Sequence, residues 1–130
     1  LTKLINNDII KYNKYQGGIM KLLKLTKAET TKLQKQYSMG TSFDQMVVAK
    51  VFNPYGRHTW YLLNQDPNDP DYLWTVATDP QGLPEMGSCL LSDLMNTRIG
   101  AYRLPLERDK YFHPITVKEL YEKLNRGEHV

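Results

Sequence analysis

From Thr26 onward, apolar and polar residues recur at spacings that assign most of the chain to helices and strands. Thr26-Lys27-Ala28-Glu29 is a capping box: the Thr26 hydroxyl accepts from the Glu29 amide, and the Glu29 carboxylate returns to the Thr26 N–H. The helix it starts is expected to reach about Tyr37, with Gly40 as its stop. Leu33 and Tyr37 give it a narrow apolar stripe, which places it on the surface of the domain. Met46 to Phe52 is β-branched and apolar on both faces, predicting a buried strand that leaves into the turn Asn53-Pro54-Tyr55-Gly56. His58 to Asn64 alternates, with Trp60 and Leu62 on one face and Thr59, Tyr61 and Leu63 on the other. The two strands are expected to pair antiparallel.

Asp66-Pro67-Asn68-Asp69-Pro70-Asp71 reads as a loop, because its two prolines interrupt a regular ladder. Tyr72 to Ala77 is a third strand, Asp79-Pro80-Gln81-Gly82 a turn, and Met86 to Leu91 a fourth strand. Ser92 is the expected N-cap of a short helix carrying Leu94 and Met95, ended by Gly100 at the latest. Tyr102 to Leu104 is read as extended, and Pro105 as opening a rigid turn that carries Glu107, Arg108 and Asp109. Thr116-Val117-Lys118-Glu119 is a second capping box. Val117, Leu120, Tyr121 and Leu124 then recur on one helical face up to about Gly127. The pattern predicts an α+β fold: a single domain with an antiparallel sheet of about four to five strands and flanking helices at the N- and C-terminal ends.

Length agrees with one domain, since 130 residues bury a real core and are too few for two. No apolar run approaches the roughly 20 residues a membrane span needs, and the Lys-broken start is unlike a signal peptide. A cytoplasmic protein is expected. The net charge of +3 is unevenly spread: through Tyr37, eight lysines face Asp8 and Glu29, giving +6, while nine basic and twelve acidic residues beyond it give −3. Residues 1–19 have a composition of their own, rich in Lys, Asn and Tyr, and Gln16-Gly17-Gly18 can be encoded with a ribosome-binding AGGAGG hexamer ahead of Met20. They read as a translated leader before a domain at 20–130. The other reading is an ordered extension built on Leu4, Ile5, Ile9 and Ile10.

The candidate chemistry is sparse. Asp66, Asn68, Asp69 and Asp71 are hard oxygen donors, but Pro70 takes the third ligand position of a calcium loop and the turn glycine is missing. His58, His113 and His129 are scattered, and Cys89 is the only cysteine, so neither a disulfide nor a multi-cysteine zinc site can form within the chain. Cys89 reads as a small packed side chain; a pair with His58 or His113 has nothing local to acidify the thiol. Ser88 and Ser92 lack a nucleophile-elbow context, and there is no glycine-rich phosphate loop. No catalytic set, metal site or cofactor is predicted. Arg108 is expected to clip the turn onto the sheet through Glu85, leaving Asp109 or Glu107 to face a partner. Folding the Pro84–Leu94 block against the Leu104–Phe112 block would then set Asp109 and Tyr111 at a sheet edge as a binding surface.

Phe52-Asn53-Pro54, Thr59-Trp60, Asp66-Pro67, Pro84-Glu85-Met86-Gly87, Leu91-Ser92-Asp93-Leu94 and Leu104-Pro105-Leu106-Glu107-Arg108-Asp109-Lys110-Tyr111-Phe112-His113-Pro114 together resemble an uncharacterised bacterial family, domain of unknown function 2958. The likeness covers roughly Thr26 to Leu124, and its last two blocks are the specific ones. Arg103 departs from the family, which usually has Gly there. The resemblance implies an accessory role on plasmids, conjugative elements or prophages and no activity. Two functions are compatible with it. One is a non-enzymatic inhibitor or modulator of an anti-CRISPR or anti-restriction type, which would engage a host defence protein or ribonucleoprotein effector through Tyr55, Trp60, Trp74 and Tyr111. The other is nucleic-acid binding through Lys21, Lys24, Lys27, Lys32 and Lys35, side chains that otherwise form a solvated helix face.

Overall fold

The computed structural model describes residues 23–130; the leader expected at 1–19 lies outside them, as does Lys21. Helix α1 (Lys27–Lys35) and a 3₁₀ turn (Tyr37–Met39) precede strands β1 (Ala49–Phe52), β2 (Thr59–Asp66), β3 (Asp69–Thr78) and β4 (Pro84–Leu90). Then come α2 (Leu91–Asn96), β5 (Arg98–Ile99), β6 (Leu104–Pro105), β7 (Glu107–Arg108) and α3 (Val117–Asn125). The main sheet is antiparallel in the order β4-β3-β2-β1-β7, and β5 and β6 form a separate two-stranded ribbon. The α+β fold class read from the sequence is the one found.

The alternation along β2 decides the layering. Trp60 and Leu62 join Leu33 of α1, Leu94 of α2 and Leu106 on one face, while Tyr61 and Leu63 join Val117, Leu120 and Leu124 of α3 on the other. Two apolar layers thus sandwich one sheet, with α1 and α2 on one side and α3 opposite. The first capping box is complete: Glu29 N donates to Thr26 Oγ1 at 3.1 Å and Thr26 N to Glu29 Oε1 at 2.8 Å. The second has one recorded half, Glu119 N to Thr116 Oγ1 at 3.1 Å. The Glu119 carboxylate lies 3.7 Å from Lys123 one turn on. Two donors at the start of α3 are instead met from elsewhere, Val117 N by Gln45 O and Lys118 N by Phe43 O.

Several expectations are corrected. α1 buries Leu33 and ends before Tyr37, which the 3₁₀ turn carries to an exposed position. The first strand is shorter than Met46–Phe52, because Val47 N bonds Ile115 O, and Met46 bridges Thr116. It is also not apolar on both faces, since Lys50 sits within it. Asp66 to Asp71 is a tight hairpin in place of a loop: Asp66 pairs with Asp69 and accepts from Asn68 N at 2.8 Å. Gln65 pairs next with Leu73, so Pro70 falls in an irregular stretch where its missing N–H costs no ladder bond to β2. Ser92 is not an N-cap. The α2 N-cap is Leu90, and the Asp71 carboxylate accepts from Ser92 N at 2.6 Å and Ser92 Oγ at 2.7 Å.

Residues 100–103 form a turn in place of an extended run, with Arg103 N donating to Gly100 O at 3.1 Å. The chain reverses near Gly100 and pairs Arg98 and Ile99 with Pro105 and Leu104. It does not bring Pro84–Leu90 beside Glu107–Arg108, which are the two opposite edges of the main sheet. Arg103 has φ 51°, the left-handed region in which a Cβ is disfavoured and glycine is not, and its side chain is exposed. Glycine at this position relieves strain without removing packing. Arg103→Gly is therefore expected to raise stability by about 1 kcal/mol, or about 4 °C in melting temperature followed by circular dichroism.

Candidate functional site

Edge strand β7 continues the sheet beyond β1, with Val51 opposite Arg108 and Phe52 opposite Glu107, and Asp109 N donates to Lys50 O at 3.0 Å. The Glu-Arg-Asp triplet is thus strand and strand end, not a turn. Arg108 does clip two parts of the fold together, but its partner is Glu29 of α1, bonded from Arg108 Nη2 to Glu29 Oε2. Glu85 is exposed on β4, with three strands between it and β7 across the sheet, so the predicted Glu85–Arg108 pair is wrong. Glu29 serves twice, one carboxylate oxygen capping α1 and the other holding the edge strand.

Lys50 organises the opposite face. Its side chain is 7% exposed and points to the α3 side of the sheet, where Nζ lies 3.5 Å from Asp109 Oδ2 and donates to Val130 O at 2.5 Å. Tyr61 OH donates to the same Val130 oxygen at 3.1 Å. These groups floor a cleft of about 580 Å³ between the β1–β2 turn, the β3–β4 turn and residues 127–130, with Arg57 and His129 also among its walls. Burial first, and the Asp109 carboxylate second, push the Tyr61 phenol up to about 12, so it is a donor at neutral pH. The arrangement presents an ammonium and a hydroxyl converging on one oxygen atom, which is a means of holding an oxyanion.

The residues proposed from sequence as a binding surface are not one surface. Asp109 is an internal anchor: besides Lys50, it accepts from Tyr111 N at 2.9 Å, which corrects its reading as a free charge. Tyr111 is 87% exposed and Tyr55 67% exposed, both on turns, and Glu107 is exposed on β7. Trp60 and Trp74 are half-buried strand residues, where the alternation placed them, packed against the two apolar layers, and Trp60 also stacks on His58 at 4.1 Å, so neither is an exposed binding residue. Lys24, Lys27, Lys32 and Lys35 are exposed.

The hard oxygen donors are separated by their duties, Asp66 receiving the Tyr37 hydroxyl and Asn68 N while Asp71 caps α2. Among the described residues, no three His, Cys, Asp or Glu side chains come together where they could hold a metal ion. Cys89 lies against the apolar layer of α1, and burial pushes its thiol up to about 11. It faces Leu73, whereas His58 precedes Thr59 at the Thr78 end of β3, about 15 Å along the strand. Lys50 and Tyr61 were not singled out from sequence. The signal available was a lysine inside an otherwise apolar strand.

Fold and cleft together define a small α+β protein built on one five-stranded antiparallel sheet, with a cleft of mixed polar and apolar lining on its α3 face. The model of a family described as "Protein of unknown function (DUF2958)" matches residues 22–128, and the chain belongs to that family. No curated protein and no solved structure matches it. Among the described residues, no helix is long and apolar enough to cross a membrane.

Two outcomes follow from these pairs. Glu29→Ala removes a cap bond and strands Arg108, and is expected to cost about 2 to 3 kcal/mol in urea unfolding, against less than about 0.5 kcal/mol for Glu85→Ala. Tyr61 and Cys89 have folded pKa values raised above their usual 10 and 9, so the folded chain holds those protons more tightly. Their contribution is complete below pH 9 and is lost as pH rises from 9 towards about 12, through the folded values. The melting temperature should fall across that window, and less steeply in Tyr61→Phe.

Proposed function

We propose that this protein is a non-enzymatic accessory protein of a mobile genetic element. It acts in the bacterial cytoplasm by binding, and so inhibiting or modulating, a host defence protein or ribonucleoprotein effector of CRISPR or restriction type. The resemblance to a family of plasmids, conjugative elements and prophages supports the setting. Tyr111 is the observation that supports the mode of action. Its ring is 87% exposed, yet its backbone is fixed on both sides: its N–H donates to Asp109 Oδ1, and Phe112 N–H to Asp109 O at 3.3 Å. The Phe112 ring then lies 6.0 Å from buried Tyr61. An exposed aromatic on a preorganised turn loses little entropy when covered, and tyrosine is among the residues that dominate protein interfaces. Glu107, exposed on the same edge, adds a charge for register.

Nucleic-acid binding by Lys24, Lys27, Lys32 and Lys35 is the second reading, supported by their common exposure on and before α1. Affinity capture from a defence-competent host lysate, run with the parent chain and Tyr111→Ala in parallel, tests the first. The parent should retain one defence effector. Tyr111→Ala should lose at least about ten-fold in affinity at an unchanged melting temperature. Asp109→Ala should instead destabilise the fold by about 2 to 4 kcal/mol, because it leaves the buried Lys50 charge without its carboxylate. Equal capture by parent and Tyr111→Ala would overturn the reading. Nuclease-sensitive capture that collapses between about 50 and 200 mM salt would favour the second.

A further inference from the structure

We infer that the outer edge of β4 pairs with the same edge of a second copy of this chain, antiparallel about a two-fold axis at Ser88. The ladder shows which backbone groups are available. Asp79 N donates to Leu83 O at 2.9 Å, and bonded pairs alternate along antiparallel strands, so Ala77–Glu85, Thr75–Gly87 and Leu73–Cys89 exchange the bonds between β3 and β4. Pro84, Met86, Ser88 and Leu90 therefore turn their backbone groups away from β3, along an edge that no other described strand covers. Some of these groups are already occupied. Pro84 has no N–H. The Tyr121 hydroxyl meets the Met86 backbone, accepting its N–H. Leu90 is the N-cap of α2, so its C=O accepts the first bond of that helix.

What remains is Met86 C=O, both groups of Ser88 and Leu90 N–H, and this set is self-complementary. With a two-fold axis at Ser88, its N–H meets the partner's Ser88 C=O, and Leu90 N–H meets the partner's Met86 C=O; the axis repeats both bonds. The two groups already withdrawn from the edge, Met86 N–H and Leu90 C=O, are the ones that would face each other in that register. A strand of another sequence could add to this edge, but a second copy is the partner whose backbone lacks the matching groups at the matching places. The side chains agree with the axis. Met86 lies in the α3 layer, and Leu90, four residues on, faces the same side and is 41% exposed. Each Met86 is set beside the partner's Leu90, which covers apolar surface on both copies. Glu85, the one charged residue of β4, comes opposite the partner's Leu91, so like charges do not oppose. β4 also pairs from Pro84 to Leu90 without a register shift and holds no lysine or arginine, devices that commonly blunt an open edge. The joined sheet has ten strands, five from each copy, with β7 and its Tyr111 turn at each far end. Few residues pair, so the interface is small and the dimer reversible in the micromolar range.

Sedimentation velocity of the full chain tests the pairing. The mass should rise from 15.1 kDa to twice that value between about 5 and about 500 µM. Ser88 is exposed and stands opposite itself across the axis, so substitutions there probe the register with little demand on the fold. Ser88→Glu and Ser88→Lys should each weaken the dimer at least about five-fold, because like charges then oppose, at melting temperatures close to the parent's. An equimolar mixture of the two variants should recover a dimer at least as tight as the parent's, with one copy of each. Tyr111→Ala should leave the mass unchanged, so this edge and the Tyr111 surface succeed or fail separately. A parent chain that stays at 15.1 kDa up to about 500 µM would overturn the inference. A dimer that both Ser88 variants leave intact, or a mixture no tighter than either variant alone, would do the same.

Discussion

A lysine ammonium buried in the middle of an apolar strand is the constraint on which the α3 face of this protein depends. Lys50 is 7% exposed, so little of its hydration survives folding and the surrounding chain must bring it acceptors. Asp109 arrives from beyond the edge strand and Val130 from beyond α3, segments that also share the apolar layer around Tyr61 through Phe112 and the Val130 side chain. Removing one partner of a buried pair costs roughly 3 to 5 kcal/mol, which is a large part of the stability of a domain this size. The same charge fixes the end of β7, the turn bearing Tyr111 and the position of Val130. Stability and the candidate site therefore share residues.

The other face is tied by a second pair of longer reach in sequence. Glu29 closes the capping box of α1 with one oxygen and holds Arg108 with the other. A local helix-start signal is thereby coupled to the edge of the sheet. β7 contributes two residues to the ladder, too few to hold an edge by backbone bonds alone, and it is held from both faces, by Glu29 through Arg108 and by Lys50 through Asp109. The apolar side chain next to it, Leu106, is fully buried among Leu33, Val51 and Leu94, which seats the short strand against the core.

This arrangement leaves the exposed features of the edge rigid. Tyr111 projects from a turn whose preceding residue is locked by a buried charge and whose following residue packs towards Tyr61. The strained Arg103 turn lies on the separate β5–β6 ribbon and takes no part in the ladder of the main sheet. Strain there is a property of the turn's residue choice, not of the cleft.

Much of the fold was legible from the sequence, because the signals that specify it act over a few residues. Alternation assigned Trp60 and Leu62 to one layer and Tyr61 and Leu63 to the other, and the Thr26 box and Gly127 set helix ends where the backbone itself supplies the donors and acceptors. Arg103 stood out through the resemblance alone, as a departure from a glycine, and its φ of 51° is the physical reason that a glycine suits the position. The ion pairs and the cleft were not legible. Arg108 was matched to Glu85 from the sequence, yet sheet order put β4 and β7 on opposite edges and the partner is Glu29 of α1. Asp109 looked like a free surface charge until β1 laid Lys50 beneath it, and Asp71 looked like part of a loop until β3 carried it to the start of α2. Hydrogen-bonding and periodicity act between near neighbours and are written in the local sequence, whereas the partner of a charge depends on which distant strand lies beside it, and the tertiary structure alone decided that.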